Sequence, residues 1–405
     1  MSKKIRRFGE FVNEVQSLLG HCNLRSTDPK KDPDVFRAKR KLSDSDYFVI
    51  KKSASYNYFR SLNYLREQLK SNGIEISEDY LSNSYFNFLE ERKRSGGDLS
   101  NECHTWLDGL KSLQLKQFKL LIPISHYDYR CEIDLGVIKA VELTDEILKQ
   151  NFNVQGKLDE ILNASSLIEF NHTRTFAIVD IKSVEQEHAE ELGYELVEKF
   201  IYATKLIDPG SYIRLTKCAM VQINEDTVVQ ENGQFPSSHN MQNHHVPIRT
   251  NPGDDFYNKL QPYWDKLASF LYSKNPTDLQ GVILSALYWF GEADVYTDSR
   301  VKLFLNYVNG LELVILHKLD DIRQKSVPFG KRCAKIFFDD EKYWEFWKDY
   351  YWKRNHITHK EYVYIYKEEI DTLRIDLRSL LLQLIDFTNK YNNLEDVFDK
   401  EYEIK

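Results

Sequence analysis

Cysteine is scarce in this sequence, and the few cysteines follow no spacing that a metal site or a disulfide framework uses. The five of them in 405 residues are Cys22, Cys103, Cys131, Cys218 and Cys333. They are odd in number, scattered, and include no CxxC pair. Such a set predicts reduced thiols in a cytoplasmic protein and argues against a zinc knuckle or a disulfide-stapled fold.

A long apolar run is also missing. No segment approaches the roughly 20 consecutive apolar residues that a membrane-spanning helix needs. The basic N-terminus, residues 1–7, is soon followed by polar and charged residues, which is not the pattern of a secretory signal peptide. We therefore expect no membrane among the partners of this protein.

The common nucleotide-binding and hydrolase motifs are absent as well. The sequence has no Walker loop, no GxGxxG fingerprint and no GxSxG elbow, which argues against nucleotide hydrolysis, dinucleotide binding and the common serine hydrolases. Lys and Arg number 55 against 62 Asp and Glu, a formal net charge of -7. Because the whole molecule is acidic, any contact with RNA or DNA must come from a local basic site.

Apolar and aromatic residues, in contrast, are plentiful. Hydrophobic residues make up 42% of the chain and aromatic residues 13%, which predicts real cores and excludes general disorder. The length exceeds that of the usual single domain, so two or three folding units are expected.

The first part of the chain has a helical pattern with one interruption. Apolar residues at helical spacing predict helices over 5–20, 55–71, 77–94 and 103–116. Residues 24–46 are rich in Pro, Asp, Lys and Arg and predict a polar connector, whose basic cluster could also contact nucleic acid. We expect residues 1–116 to form an N-terminal helical region that contains this linker.

The pattern then changes to short strands. β-branched and partly alternating segments predict strands at 119–124, 132–141, 175–181, 211–224 and 227–230. Between them, Thr144 has the position of a helix N-cap, and a longer helix is predicted near 184–206. We expect a mixed α/β sensor or regulatory domain at 117–250, which ends in polar loops near 236–245 and 251–255.

From residue 256 onward the pattern is almost wholly helical. The predicted helices run near 256–273, 277–293, 298–320, 331–337, 341–356 and 364–391. The segment 298–320 has a wide apolar face suited to the middle of a bundle, although Gly310 within it is a poor helix former. The predicted fold class is α+β, with a mixed α/β N-terminal region followed by an all-α helical bundle at 256–405.

One cluster near the C-terminus combines residue types suited to phosphodiester chemistry. Arg354, Asn355 and His359 stand within six positions. Arginine stays charged and suits the grip of a phosphate, and histidine moves protons near neutral pH. On a helix Asn355 and His359 share a face, while Arg354 lies about 140° from His359. Arg354 and His359 can meet at one phosphate only at a helix end or a distortion, or if a second subunit supplies the partner.

This cluster resembles the motif of the HEPN superfamily. Its ribonuclease members carry an Arg, then four to six residues, then a His, often with a polar residue directly after the Arg. Arg354, Asn355 and His359 match that motif position by position. The segments 286–293 and 304–312 look like those of the Apea-like branch, which is associated with bacterial anti-phage defence. The resemblance covers roughly residues 256–395 and leaves the first 250 residues unexplained.

The resemblance implies a metal-independent endoribonuclease that needs no cofactor. His359 would act as general base or acid toward the ribose 2′-OH or the leaving 5′-oxygen, and Arg354 would hold the phosphate. Asn355 would orient His359 or bond the phosphate. The products would be 2′,3′-cyclic phosphate and 5′-OH ends.

Further roles follow from the surroundings of the motif. Lys353, His356 and Lys360 are expected to contribute to substrate binding, and Glu312 is expected to brace Arg354.

HEPN nucleases usually pair two motifs across a dimer, so a homodimer with a composite site is expected. The implied partner is RNA, with tRNA as one candidate. The implied role is an abortive-infection effector whose first 250 residues bind a phage-derived trigger and restrain the site until then.

Simpler interpretations stay open. Arg354 could pair with Asp349 or Glu361, with His359 an ordinary residue at a helix end and Glu312 an exposed one. The helical domain would then be a non-catalytic module that binds RNA or a protein. The tryptophans of this region are expected in the core rather than as platforms for base stacking; they are Trp289, Trp344, Trp347 and Trp352.

Two metal-based alternatives also stay open. Asp180 and Lys182, with Glu169 upstream, resemble the acid-x-Lys step of restriction-type nucleases, which bind Mg²⁺ through carboxylates. The simpler interpretation is a strand end before a helix. A second set, His239, His244 and His245, could ligate zinc, although loop histidines without a neighbouring Cys or an HExxH helix usually do not.

Overall fold

The structure is a computed structural model that describes most of the chain. The described residues are 5, 7–25, 32–40, 47–125, 133–153, 156, 158–159, 175–208, 213–215, 219–223, 226–231, 262–293, 299–319, 325–359 and 362–404. The predicted loops at 236–245 and 251–255, with the zinc candidates His239, His244 and His245, lie outside the described residues. So do Glu169, Lys360 and Glu361.

The chain divides into two compact units. Unit 1 comprises residues 1–118, 181–192 and 223–226, and unit 2 comprises 119–180, 193–222 and 227–405. Unit 2 therefore contains most of the predicted strands together with the helices from 262 onward.

Unit 1 is a helical layer with a small antiparallel sheet. Its described elements are α1 (Phe8–Gly20), β1 (Cys22–Arg25), β2 (Val35–Arg40), β3 (Tyr47–Lys51), α2 (Ser55–Ser71), α3 (Glu78–Ser95) and α4 (Leu99–Lys111). The three strands follow the order β1-β3-β2, and both pairings are antiparallel. The core is formed by apolar residues of α1 to α4 and β3, among them Phe11, Tyr58, Tyr85 and Leu89.

The predicted polar connector at 24–46 is wrong over part of its length, because it contains β2. This strand is at the edge of its sheet, where charged side chains can reach solvent and are tolerated. Arg37 is held on the neighbouring helices, since it donates to Tyr58 and to Asn83 Oδ1 (2.6 Å) and lies 5.0 Å from the Phe86 ring centroid. Because these partners satisfy its charge, Arg37 can lie in a strand that packs on helices. The charged residues of this segment therefore do not indicate a solvent-exposed linker.

Unit 2 contains a mixed layer of strands and helices before the bundle. The elements of residues 116–231 are β4 (Lys116–Ser125), β5 (Ile133–Asp134), β6 (Ile138–Glu142), α5 (Asp145–Phe152), β7 (Thr175–Ser183), α6 (Gln186–Ile207), β8 (Arg214–Leu215), β9 (Met220–Ile223) and β10 (Asp226–Glu231). The ends of several of them fall in unit 1. The sheet order is β10-β9-β4-β7-β6-β5, with β8 paired to β4. The predicted N-cap is confirmed, because the Thr144 side chain accepts from the Ile147 N–H.

The rest of unit 2 is helical. Its described helices are α7 (262–268), α8 (Asp278–Glu292), α9 (Arg300–Ile315), α10 (Ser326–Phe338), α11 (Trp344–Thr358), α12 (Lys367–Phe387) and α13 (Leu394–Glu401). The helix α9 packs against α8, α10, α11 and α12, so the predicted position of this segment in the middle of a bundle is confirmed. The predicted α+β fold class is also confirmed, with strands and helices first and, among the described residues from 262 onward, helices without strands.

Two glycines allow helices of this bundle to approach closely. A Cβ on Gly310 would lie 2.7 Å from Leu377 Cδ2 of α12, which explains the poor helix former inside α9. A Cβ on Gly330 of α10 would lie 2.5 Å from the backbone oxygen of Trp344 at the start of α11. At both positions glycine lowers the helix propensity of the segment but allows two helices to pack closely.

The C-terminal end of α6 contacts the helices of the bundle. The Arg378 guanidinium of α12 donates to the backbone oxygens of Leu206 (2.7 Å) and Ile207 (2.9 Å). These are carbonyls of the last turn of α6, which lack partners within their own helix. Lys205 donates to the Gly291 oxygen of α8. The C-terminal part of α6 is therefore fixed to the bundle by side chains that complete its backbone hydrogen bonds.

The described cysteines are buried thiols. Cys22, Cys103 and Cys333 are free and buried. Burial raises the pKa of Cys22 and of Cys103 to about 12. Burial also raises the pKa of Cys333 well above its ordinary value, so none of the three is a thiolate at neutral pH. Within the described part of the chain, no helix has the length and apolar character to cross a bilayer.

Candidate functional site

The predicted motif lies at the C-terminal end of α11. This helix runs from Trp344 to Thr358, and His359 is its C-cap with φ -86° and ψ 11°. The His359 N–H donates to the Asn355 oxygen at 3.0 Å, so the helical hydrogen-bond pattern continues into the cap. Five residues of regular helix correspond to a rotation of about 140° and a rise of roughly 7.5 Å. One chain therefore presents Arg354 and His359 on different faces of the same helix end.

Three polar side chains hold the Arg354 guanidinium, which is about one quarter exposed. Its Nη2 pairs with Glu312 Oε2 at 3.0 Å, its Nη1 donates to Asn355 Oδ1 at 3.0 Å, and its Nε donates to Asn309 Oδ1 at 3.4 Å. Glu312 and Asn309 are three residues apart and therefore share a face of α9. A guanidinium has five N–H groups, and the residues that the structure describes engage three of them.

The Tyr351 hydroxyl also belongs to this cluster. It donates to Glu312 Oε1 at 3.3 Å, and the Arg354 guanidinium carbon lies 5.9 Å from the Tyr351 ring centroid. Burial, and then the neighbouring Glu312 carboxylate, raises the pKa of Tyr351 to about 12, with Arg354 opposing that rise. Tyr351 is therefore a neutral donor at physiological pH, and both oxygens of Glu312 have partners.

Lys353, predicted to bind substrate, is held by two carboxylates. Its ammonium contacts Asp349 Oδ2 at 3.0 Å and also contacts Glu369 of α12. Burial by itself lowers the Lys353 pKa, but the hydrogen bonds to Glu369 and Asp349 outweigh it, and the pKa is raised. The positive charge at this position is thus largely balanced within the chain, which favours a role in fixing α11 against α12.

The two histidines of the motif have different surroundings. His356 Nδ1 lies 2.8 Å from the Trp352 oxygen, and its ring stacks on Trp352 with centroids 3.8 Å apart. A carbonyl only accepts, so Nδ1 carries the proton and Nε2 is the nitrogen suited to accept one. His359 is exposed, and its imidazole bonds to none of the residues that the structure describes.

The structure thus joins some of the predicted site residues and separates others. Arg354, Asn355 and Glu312 form one cluster, while His359 lies beyond it at the helix cap. Asp349, an open alternative as a partner of Arg354, pairs with Lys353 instead. Asn309 and Tyr351 belong to this cluster but were not among the predicted site residues. A signal was present for Asn309, because it stands one helical turn before Glu312.

The prediction that the tryptophans of this region lie in the core is correct for Trp347 and wrong for Trp352. Trp347 is fully buried, whereas Trp352 is 48% exposed and covers His356. The indole Nε1 of Trp347 has no hydrogen-bond partner among the described residues.

Asp180 lies apart from any described group of metal ligands. It points outward from β7, as does Lys182, and its nearest ionic partner is Lys119 at 3.9 Å. Its proposed companion Glu169 is outside the described residues.

One other cluster has the donor atoms that a metal prefers. Asp278, His317 and Glu395 bring one oxygen or nitrogen each within 4.8 Å of one another, the one such group among the residues described. The Lys318 ammonium, however, contacts Asp278 at 3.2 Å and Glu395 at 2.9 Å. These residues therefore form a charge-balanced network that connects the start of α8, the end of α9 and the start of α13.

Comparison with known proteins gives no relative: the chain matches no protein-family model, no curated protein and no solved structure.

Proposed function

We propose that this protein is a HEPN-like, metal-independent endoribonuclease that cuts RNA by attack of a ribose 2′-OH on the adjacent phosphate. The observation that supports it best is the geometry of Arg354. Its guanidinium is fixed at three positions by Asn309, Asn355 and Glu312, which engage three of its five N–H groups among the described residues, and it lies five residues before the exposed imidazole of His359. A guanidinium held in this way can bind a phosphate without reorganising, which is the requirement for stabilising charge in a transition state.

The reaction needs two proton transfers on opposite sides of the phosphorus. The 2′-oxygen loses its proton as it attacks, and the 5′-oxygen gains one as it leaves. In this proposal His359 makes one of these transfers and water makes the other, while Arg354 neutralises the non-bridging oxygens. Arg354 and His359 of one chain lie on different faces of the same helix end. The proposed active form is therefore a homodimer in which each site takes its arginine from one copy and its histidine from the other.

The biological role is part of the same proposal. An RNase with such a site is toxic to the cell that makes it, and we propose that it acts in bacterial anti-phage defence by abortive infection. Residues 1–250 would then hold the site inactive until a phage-derived trigger binds them.

Cleavage of RNA in the presence of EDTA tests this proposal. The purified full-length chain, incubated with total RNA and excess EDTA, is expected to produce fragments with 5′-OH ends, which a polynucleotide kinase labels without prior phosphatase treatment. His359→Ala should lower the rate by at least about a hundredfold, because the proton transfer is lost. His104→Ala is the matched control, since His104 is an exposed histidine of unit 1, and it should cleave as wild type does.

Other outcomes separate the alternatives. Cleavage that stops in EDTA and is lost in Asp180→Ala would favour the metal nuclease. Toxicity in cells that persists in His359→Ala and in Arg354→Ala, together with RNA binding but no cleavage, would favour a non-catalytic module.

A further inference from the structure

Three exposed tyrosines follow directly after the candidate site. Tyr362, Tyr364 and Tyr366 are 91%, 53% and 56% exposed, whereas Ile365 between the last two is 3% exposed. We call residues 362–366 the tyrosine segment. The segment therefore presents its phenol rings to solvent while Ile365 anchors it in the bundle.

The tyrosine segment is held in place at both the rings and the backbone. The Tyr364 and Tyr366 ring centroids lie 4.8 Å apart with an edge-to-face angle of 73°, and Arg300 of α9 contacts the Tyr364 hydroxyl at 3.5 Å. The Tyr366 N–H donates to Glu369 Oε2 at 2.9 Å as the N-cap of α12. A surface that is already ordered loses less entropy when a ligand binds.

The same Glu369 links the tyrosine segment to the candidate site. Its second oxygen accepts from Lys353, the residue immediately before Arg354. Along the chain Tyr362 follows His359 by three residues, so their Cα atoms are at most about 11 Å apart. The aromatic surface is therefore adjacent to the position proposed for the scissile phosphate, at a distance that one or two nucleotides span.

Flat aromatic faces beside such a site suit unpaired bases. Each base stacked on an aromatic side chain contributes roughly 1–3 kcal/mol in proteins that bind single strands. In an A-form duplex the base faces are covered by their neighbours and cannot reach a tyrosine. The acidic chain, with its net charge of -7, is poorly suited to bind RNA through the backbone alone, so stacking has to supply much of the affinity.

We infer that Tyr362, Tyr364 and Tyr366 stack the unpaired bases next to the scissile phosphate, so that the substrate is single-stranded RNA or an RNA loop. This inference depends on the proposed function for the position of the phosphate. The tyrosine segment then selects the substrate by strandedness, while Arg354 and His359 carry out the cleavage.

Binding by a cleavage-deficient chain tests the inference. Full-length His359→Ala is titrated with a fluorescein-labelled 12-nucleotide RNA without secondary structure, and with the same RNA annealed to its complement. We expect the single strand to bind at least tenfold more tightly than the duplex. Adding Tyr362→Ala and Tyr364→Ala should weaken single-strand binding by about tenfold for each ring removed. Phenylalanine at both positions should recover most of that affinity, because the stacking face is kept.

Another exposed tyrosine provides the control for this experiment. Tyr56→Ala removes an equally exposed tyrosine of unit 1 (51% exposed) and should leave RNA affinity unchanged. Equal binding of single strand and duplex, or full affinity in the double alanine variant, overturns the inference. So does a double variant that sediments as a monomer where the parent is a dimer, since the tyrosines would then form an interface between copies. If the tyrosines bind single-stranded RNA but the wild-type chain never cleaves it, the proposed function fails and the binding surface stands.

Discussion

At the scale of single residues, the candidate site is defined by how the charges around Arg354 are paired. Glu312 neutralises the guanidinium, and Tyr351 occupies the second carboxylate oxygen. An ion pair that is partly exposed contributes little to stability, typically 0–1 kcal/mol. The arrangement therefore matters more for the orientation of Arg354 than for the free energy of unfolding.

The Glu312→Gln variant tests that orientation. Glutamine keeps the size of the side chain and one acceptor but loses the charge, so Arg354 is held less firmly. We expect kcat for RNA cleavage to fall about tenfold, with KM nearly unchanged, and the free energy of unfolding to change by less than about 1 kcal/mol. Glu395→Gln, an equivalent substitution in the Lys318 network, should leave cleavage unchanged. A lower KM at full kcat would show instead that Glu312 competes with the phosphate for Arg354.

A second prediction at this scale concerns Asp376 on α12. Burial raises the pKa of this carboxyl to about 6, and it makes no hydrogen bond to the described residues. Because the folded state holds the proton more tightly than the unfolded state, stability falls as pH rises from about 4 to 6 and then stays level. Asp376→Asn should therefore stabilise the protein at pH 8 by about 1–2 kcal/mol, a value reduced for solvent screening of a partly buried group.

Chemical denaturation at several pH values measures this effect. The advantage of Asp376→Asn should shrink steadily between pH 6 and pH 4. Asp371→Asn, an exposed carboxylate on the same helix, should stay within about 0.5 kcal/mol of wild type at every pH. An advantage that does not depend on pH would contradict the explanation by proton binding.

At the scale of elements, the position of α11 depends on how closely α10 packs on it. Gly330 is the contact point, because a Cβ at this position would lie 2.5 Å from the Trp344 oxygen and 3.2 Å from the Lys348 nitrogen of α11. Those are backbone atoms and cannot move aside as a flexible side chain can. The aromatic side chains Phe337 and Trp347 stack across the same interface with centroids 4.9 Å apart.

The Gly330→Ala variant should be destabilised despite the better helix propensity of alanine. Overpacking at a closely packed contact costs roughly 1–3 kcal/mol. The matched control is Gly281→Ala on α8, where a Cβ would meet nothing within 4 Å; it should stabilise the protein by about 0.5–1 kcal/mol. Thermal unfolding of both variants measures the difference. Equal shifts for the two substitutions would mean that α10 and α11 do not pack as described.

At the scale of the whole molecule, the separation of Arg354 and His359 on one helix end has a consequence for assembly. If each site takes its arginine from one copy and its histidine from the other, activity depends on the dimer. Specific activity should then fall on dilution, as dimers dissociate.

Mixing two inactive variants tests this arrangement. Arg354→Ala and His359→Ala, unfolded and refolded together, should regain about a quarter of wild-type activity, because half of the dimers formed at random are mixed and each mixed dimer has one intact site. Each variant refolded alone should stay inactive. No recovery in a mixture that contains mixed dimers would place the arginine and the histidine of one site in the same chain.

The sequence by itself located the motif and most of the helices, although the helix predicted at 103–116 lies at Leu99–Lys111. The periodicity of α2 gave its bounds, Ser55–Ser71, and Thr144 was identifiable as a cap because capping is a local interaction. The helix predicted at 341–356 also placed the motif near a helix end, which was one of the alternatives that the sequence left open, and the structure ends that helix at Thr358. The alternation of Tyr362, Tyr364 and Tyr366 is visible in the sequence, but their exposure is known only from the structure.

Only the tertiary structure decided the partners. Arg354 meets Asn309 and Glu312 more than 40 positions away, and Lys353 meets Glu369 across two helices. Which of several carboxylates pairs with a given cation depends on the rotation and contact of packed helices, and that is set by the core and by close contacts such as Gly330. The local pattern did not predict the strand β2, whose pairing with β3 and whose Arg37 contacts join residues distant in the sequence. Periodicity fixes which residues form a helix, but only packing fixes what its polar face meets.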